Sequence, residues 1–179
     1  MGKLEIMVGP MFAGKTEELL RRIKRARIAK QKVVVFKPQL DWRYGEKQVC
    51  SHSGVKEQAV PIDNVWEIPK QALEYDVVAI DEVQFFAPEI VAVVESLINQ
   101  GKRVVVSGLD MDFQGKPFEV CALLMAKAEK VDKLTAVCVE CGIDATRTQR
   151  RVEGKPVYEG ETVEIGGSEN YVAVCGNCY

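Results

Sequence analysis

The residues best suited to chemistry begin at position 9. Gly9-Pro10-Met11-Phe12-Ala13-Gly14-Lys15-Thr16 spells Gly-x-x-x-x-Gly-Lys-Thr directly behind an apolar run, "LEIMV", and ahead of a helical pattern. In that setting the two glycines allow a tight turn, and successive backbone N–H groups and the helix N-terminus point at a phosphate. Lys15 would reach the β- and γ-phosphates of a nucleoside triphosphate, and the Thr16 hydroxyl would help hold Mg²⁺. The plain alternative is an accidental glycine turn, but glycine makes up only ~7% of ordinary chains, so a match of this length is uncommon.

A phosphate loop needs an acidic partner for the metal, expected on a neighbouring strand. "DVVAIDEVQFF" supplies one: Asp81 closes an apolar run and suits the metal role, and Glu82 follows it, directed at an attacking nucleophile. The competing reading has both carboxylates merely punctuating a strand end, as Asp76 does. The second cluster is thiol-based. Cys138 with Cys141 and Cys175 with Cys178 form two C-x-x-C pairs that can present four thiolates to a structural Zn²⁺. The stretch 142–174 between them is longer than the ~15–20 residues of compact ribbons, so a large loop must bulge out. A redox dithiol or two disulfides compete with zinc; a reducing compartment disfavours the latter. Phe85, Phe86, Phe113 and Phe118 read either as core or as faces for stacking a flat base. The basic run Arg21, Arg22, Lys24, Arg25, Arg27 and Lys30 reads as a solvated helix face rather than a nucleic-acid grip. His52, the single histidine, has no partner at catalytic or metal-binding spacing. Cys121, in an apolar helix, reads as core.

Positioning these groups requires alternating strands and helices. "LEIMV", "EELLRRIKRARIAK" and "KVVVFKP" make one βαβ unit. "DVVAIDE", the periodic "PEIVAVVESLINQG" between Pro88 and Gly101, and "KRVVVSGLD" make a second. "VWEIPKQALEY" and "FEVCALLMAKAEK" add helical segments, and a polar, turn-rich stretch runs from Gln39 to about Gln58. Near-continuous Val and Ile runs predict a mostly parallel sheet covered on both faces. After Lys133 the helical period fades, dividing the chain into a nucleotide-binding α/β domain over 1–134 and a zinc-binding lobe over 135–179. With 179 residues, 47% hydrophobic, the chain can bury a real core. A net charge of −2 gives no global pull toward nucleic acid or membrane. The start lacks a signal-like segment and no run approaches the ~20 apolar residues of a membrane span, so the expected compartment is cytoplasmic. The residues alone thus reach a Mg²⁺-dependent nucleotide-using protein with a zinc lobe. A nucleic-acid-binding ATPase with a zinc ribbon remains the main alternative, and a zinc-dependent module that binds nucleotide without turnover is a weaker one.

In order, "GPMFAGKT", "DEVQFF", "SGLDMDFQGKPF", "KLTAVCVEC", "EIGGSENY" and "CGNC" resemble the zinc-containing thymidine kinase family over nearly the whole chain. The resemblance implies a RecA-like P-loop core and phosphoryl transfer from ATP to the 5′-hydroxyl of thymidine or deoxyuridine. It also implies a homotetramer with feedback binding of thymidine triphosphate. Carried over by position, Glu82 is the catalytic base, Lys15 and Arg43 stabilise charge, and Asp41 and Arg43 in "LDWRY" approach the phosphates. Gln84 lies near the nucleoside and the transferring phosphate, with Met11, Phe85, Leu109, Phe113 and Phe118 around the base and Thr148 near the thymine methyl. The long loop between the cysteine pairs resembles a lasso that covers the thymine through backbone groups of Thr162, Val163, Glu164, Ile165 and Gly166 and the ring of Tyr171. Thr162 and Glu164 stand where some relatives carry valines, and Cys178 where some carry histidine.

Overall fold

The computed structural model describes residues 1–39, 48–50, 56–160 and 170–179. The apolar run before the glycine loop is β1 (Lys3–Gly9), the loop opens into α1 (Lys15–Ile28), and the next β-branched run is β2 (Val33–Pro38). Within the polar stretch lie an antiparallel pair, β3 (Gln48–Cys50) and β4 (Lys56–Gln58), followed by β5 (Val60–Ile62). A single 3-10 turn over Val65–Glu67, capped by the Asn64 side chain, leads into α2 (Ile68–Gln71). Then come β6 (Val77–Ile80), α3 (Ile90–Asn99), β7 (Arg103–Leu109), α4 (Glu119–Lys127) and β8 (Lys130–Lys133).

Six of these strands form one sheet in the order β5-β2-β6-β7-β1-β8, and each adjacent pair is parallel. The expected mostly parallel, RecA-like core with a C-terminal cysteine lobe is thus what the chain builds. One detail departs from the sequence reading: β6, which delivers Asp81, is not the neighbour of β1, because β7 lies between them. Strand order is a tertiary choice that local runs of Val and Ile do not encode. The alternation of side chains along each strand feeds two cores. Leu4, Ile6 and Val8 of β1 pack with Ile90, Val94, Leu97 and Leu124 on the face covered by α3 and α4. Met7 packs with Leu19, Leu20 and Ile23 of α1 on the other.

Glu5 shares the α1 face and is almost fully buried, which its charge permits only because cations surround it. Arg22 Nη1 donates to it at 3.0 Å, Arg103 Nε at 2.9 Å, and Lys3 Nζ lies 2.9 Å away. Arg22 also donates to Glu18 at 2.8 Å and to Asp132. The basic run is therefore not one solvated face. Arg22 is 4% exposed, Arg21 pairs with Glu18 and Arg27 with Glu57. Acidic partners far away in sequence drew Arg22 inward.

The remaining strands are short: β9 (Ala136–Val137) pairs with β10 (Asp144–Ala145), and β11 (Arg147–Val152) sits between β12 (Lys155–Val157) and β13 (Tyr171–Val174). Their core is small, consisting of Ala136, Cys138, Ala145, Ala173, Val174 and Cys175, with Ala13 of the glycine loop and Tyr179 packed against it. Alanines and cysteines bury far less than the large aliphatics that yield ~1.5–3 kcal/mol each, so this lobe depends on another tie. Among the described residues, no helix is long and apolar enough to cross a membrane.

Candidate active site

The C-terminal ends of β1, β6 and β7 meet along one sheet edge, and the chemistry gathers there. Gly9 ends β1 at φ 150°, and a Cβ on it would stand 2.3 Å from the Leu134 carbonyl oxygen, so only glycine fits between β1 and the chain leaving β8. Gly14, at φ 78° and ψ 22°, is the N-cap of α1 and turns the loop so that the helix amides face its concavity. Lys15 Nζ donates to the Pro10 carbonyl at 2.6 Å, folding the ammonium over the loop.

Beyond Ile80 the chain turns sharply. Asp81 is buried, and its Oδ1 accepts from Glu82 N at 3.0 Å and from the Ser107 hydroxyl of β7. Glu82 adopts φ 51° and ψ 44°, a left-handed conformation that is uncommon for a non-glycine residue and recurs at functional sites. A 3-10 turn over Val83–Phe85 follows. Gln84 secures this turn: its Nε2 donates to a Glu82 carboxylate oxygen, and its Oε1 accepts from Leu109 N at 3.0 Å. Phe86 enters the core, whereas Phe85 stays partly exposed.

The third element is the loop from Asp110 to Phe118. The Asp112 side chain holds it closed, accepting from Gln114 N at 2.8 Å and Lys116 N at 2.9 Å. Phe113 is buried on this loop, meeting the Tyr171 ring edge-on at 6.5 Å and the Arg150 guanidinium at 5.5 Å. Phe118 packs partly buried against the core. Thr148, expected near the base, accepts at Oγ1 from Met11 N at 3.0 Å and so ties β11 to the phosphate loop. Gly9 to Thr16, Asp81, Glu82, Gln84, Leu109, Phe113, Thr148 and Tyr171 all belong to this edge and the lobe that abuts it. Asp41 and Arg43, Thr162 to Gly166, and His52 lie outside the described residues.

Two residues of this edge escaped the sequence reading. Asp110, following β7 as Asp81 follows β6, is 3% exposed, and neither carboxylate oxygen meets a hydrogen-bond donor among the described residues. Lys133 Nζ lies 3.1 Å from Oδ2 and supplies charge without hydrogen-bond geometry. The parallel between "AIDE" and "SGLD", both carboxylates closing apolar strands, was the available signal. Ser107, which holds Asp81, carried none. Nearby, burial and then the charges of Asp110 and Glu82 push the Cys121 thiol up to about 12, which makes it an inert core residue.

The four lobe cysteines converge. Their sulfurs lie within 4.8 Å of one another, with Cys141 Sγ 3.7 Å from both Cys175 Sγ and Cys178 Sγ. A tetrahedron with Zn–S arms of about 2.3 Å has edges of about 3.8 Å, so the spacing fits zinc. It is far from the ~2.05 Å of a disulfide. Thr16, which follows Lys15 at the start of α1, and Asp81, which follows β6, each carry an oxygen donor of the kind a hard divalent cation takes.

A family model described as "Thymidine kinase" matches residues 2–179. Among solved structures, the genome packaging NTPase of Sulfolobus turreted icosahedral virus 2 is similar at 14% identity and a TM-score of 0.49, covering 78% of this chain and 76% of its own. Domain III of the Thermotoga maritima replication initiation protein DnaA matches at 14% identity and 0.43, covering 74% of this chain and 55% of its own. A DNA replication initiation factor matches at 12% and 0.43, and this chain spans 40% of its length.

Proposed function

The chain belongs to the thymidine kinase family, and from that premise we propose that it transfers the γ-phosphate of ATP to the 5′-hydroxyl of thymidine or deoxyuridine. The observation that supports this most is the shared sheet edge. The phosphate loop after β1, the Asp81–Glu82 turn after β6 and the Phe113 loop after β7 open side by side. A triphosphate on the first and a nucleoside against the third would place the 5′-hydroxyl between the phosphate and Glu82.

In this reading Lys15 leaves the Pro10 carbonyl to contact the β- and γ-phosphates. Thr16 and Asp81 would hold Mg²⁺, which would offset the negative charge of the phosphates. Glu82 accepts the proton of the 5′-hydroxyl as its oxygen bonds to the γ-phosphorus and the bond to ADP breaks. Gln84 keeps the Glu82 carboxylate turned toward that hydroxyl, and Ser107 keeps Asp81 fixed. The protein needs little covalent chemistry, since positioning and charge stabilisation carry the reaction. Arg43 and Asp41 attend the phosphates, and the segment around Thr162 to Gly166 with Tyr171 covers the base. By the same reading the lobe cysteines carry structural zinc, thymidine triphosphate binds as feedback inhibitor, and the chain works as a cytoplasmic homotetramer.

The test is a coupled assay with ATP, Mg²⁺ and a panel of deoxynucleosides, with DNA in a parallel reaction. Selective turnover of thymidine and deoxyuridine is the expected result. Silence on every nucleoside together with DNA-stimulated hydrolysis would overturn the kinase reading.

A further inference from the structure

Tyr179, the residue after the last cysteine of the cluster, reaches out of the lobe into the Phe113 loop. Its hydroxyl donates to the Phe113 carbonyl at 2.6 Å. Its ring is clasped on the lobe side, with Tyr158 edge-on at 5.4 Å and the Arg147 guanidinium 5.7 Å from its centroid. Its own carbonyl accepts from Tyr158 Oη and from Gln149 Nε2, the latter at 3.2 Å, and its N–H donates to Cys175 O at 3.0 Å. One aromatic side chain thus runs from a cysteine knuckle to the backbone of the residue whose ring lines the nucleoside side of the edge. Arg147 adds a parallel contact, with Nη1 3.0 Å from Met111 Sδ on the same loop.

We propose that Tyr179 is a positioning residue for the nucleoside: it fastens the Phe113 loop to the cysteine knuckle, so that an ordered knuckle fixes the face on which the base rests. The proposal rests on the nucleoside kinase reading. It concerns the nucleoside half of the site, because the Tyr179 hydroxyl and the neighbouring Arg147 guanidinium both end on the Phe113 loop. Loss of the hydroxyl removes one hydrogen bond, which in net terms corresponds to a change of about 3- to 10-fold in an equilibrium constant.

The experiment is Tyr179→Phe, assayed for both substrates beside a measurement of zinc content and of amide exchange over residues 111–118. The variant should raise the nucleoside KM by about 3- to 10-fold and speed exchange in that loop, with kcat, the ATP KM and zinc content held within about twofold. Should it fold poorly, Tyr158→Phe removes one of the two side-chain hydrogen bonds to the Tyr179 carbonyl, leaving that from Gln149, and should give a smaller shift of the same sign. A nucleoside KM equal to wild type in a folded, metal-loaded Tyr179→Phe overturns the proposal and leaves the kinase reading intact. If the wild-type protein phosphorylates no nucleoside, the kinase reading itself fails, and unchanged exchange over 111–118 would then overturn the fastening separately.

Discussion

A methyl group added at Gly108 would stand 2.8 Å from Gln84 Oε1, 2.9 Å from Val83 Cγ1 and 3.0 Å from Cys121 Sγ. That glycine lets the Glu82 turn lie flat against β7, and through it Gln84 reaches both Leu109 N and the Glu82 carboxylate. Gly108→Ala should therefore push the turn outward, destabilising the fold by about 1–3 kcal/mol and lowering kcat/KM more than ATP affinity. Thermal denaturation and nucleotide titration would measure the two effects, and a variant with wild-type kinetics would show that the turn tolerates displacement. Single residues were unevenly legible in the sequence. Gly9 to Thr16 announce themselves because a phosphate cradle demands glycine, lysine and threonine at set intervals. Asp110 gives only the faint sign of a carboxylate closing an apolar run, and Ser107 and Tyr179 give none, because their roles come from strand ends and lobe surfaces brought together only by folding.

At the scale of elements, β1 and α1 hold the phosphate loop between them and are joined by the buried ionic cluster. Burial alone would raise the Glu5 carboxyl, but Arg103 and Lys3 hold it down at about 2. Hydrogen bonds from Arg21 and Arg22 outweigh burial and bring the Glu18 carboxyl to about 2 as well. Both lie below their usual 4.5 in the folded chain, so their contribution to stability is complete above about pH 4.5 and is lost as pH falls toward about 2. Stability measured across that window should decline. Glu5→Gln should weaken the fold at neutral pH by about 3 kcal/mol, by leaving Arg22 and Arg103 poorly matched, and should flatten the acid slope. A slope identical to wild type would remove Glu5 from the account. The cysteine lobe makes the second prediction: purified protein should hold about one zinc per chain, and a chelator should expose four additional thiols while Cys121 stays unreactive until unfolding. Absence of metal with all four thiols already reactive would contradict the fit. The C-x-x-C pairs revealed this element in the sequence, but β8, with its polar Lys130–Lys133, and the brief β5 did not, since edge strands of three or four residues leave no periodic pattern.

For the molecule as a whole, a few short contacts join the lobe to the sheet edge. Met11 N meets Thr148, Ala13 packs on the lobe core, and Tyr179 meets Phe113. The α/β class and the alternation of strands and helices were readable from Val and Ile runs punctuated by Pro88 and Gly101. The order of strands was not, and the insertion of β7 between β1 and β6 is what sets Asp81 against Ser107. In the proposed reaction Glu82, held in its left-handed turn, is the group that meets the acceptor hydroxyl. The measurement that tests this most directly is transfer of labelled γ-phosphate from ATP to thymidine by wild type and Glu82→Gln, with ATP binding measured on the same samples. The account predicts transfer by the wild type, a loss of about 10²-fold or more in the variant, and nearly unchanged ATP affinity. Equal transfer by both proteins would contradict it.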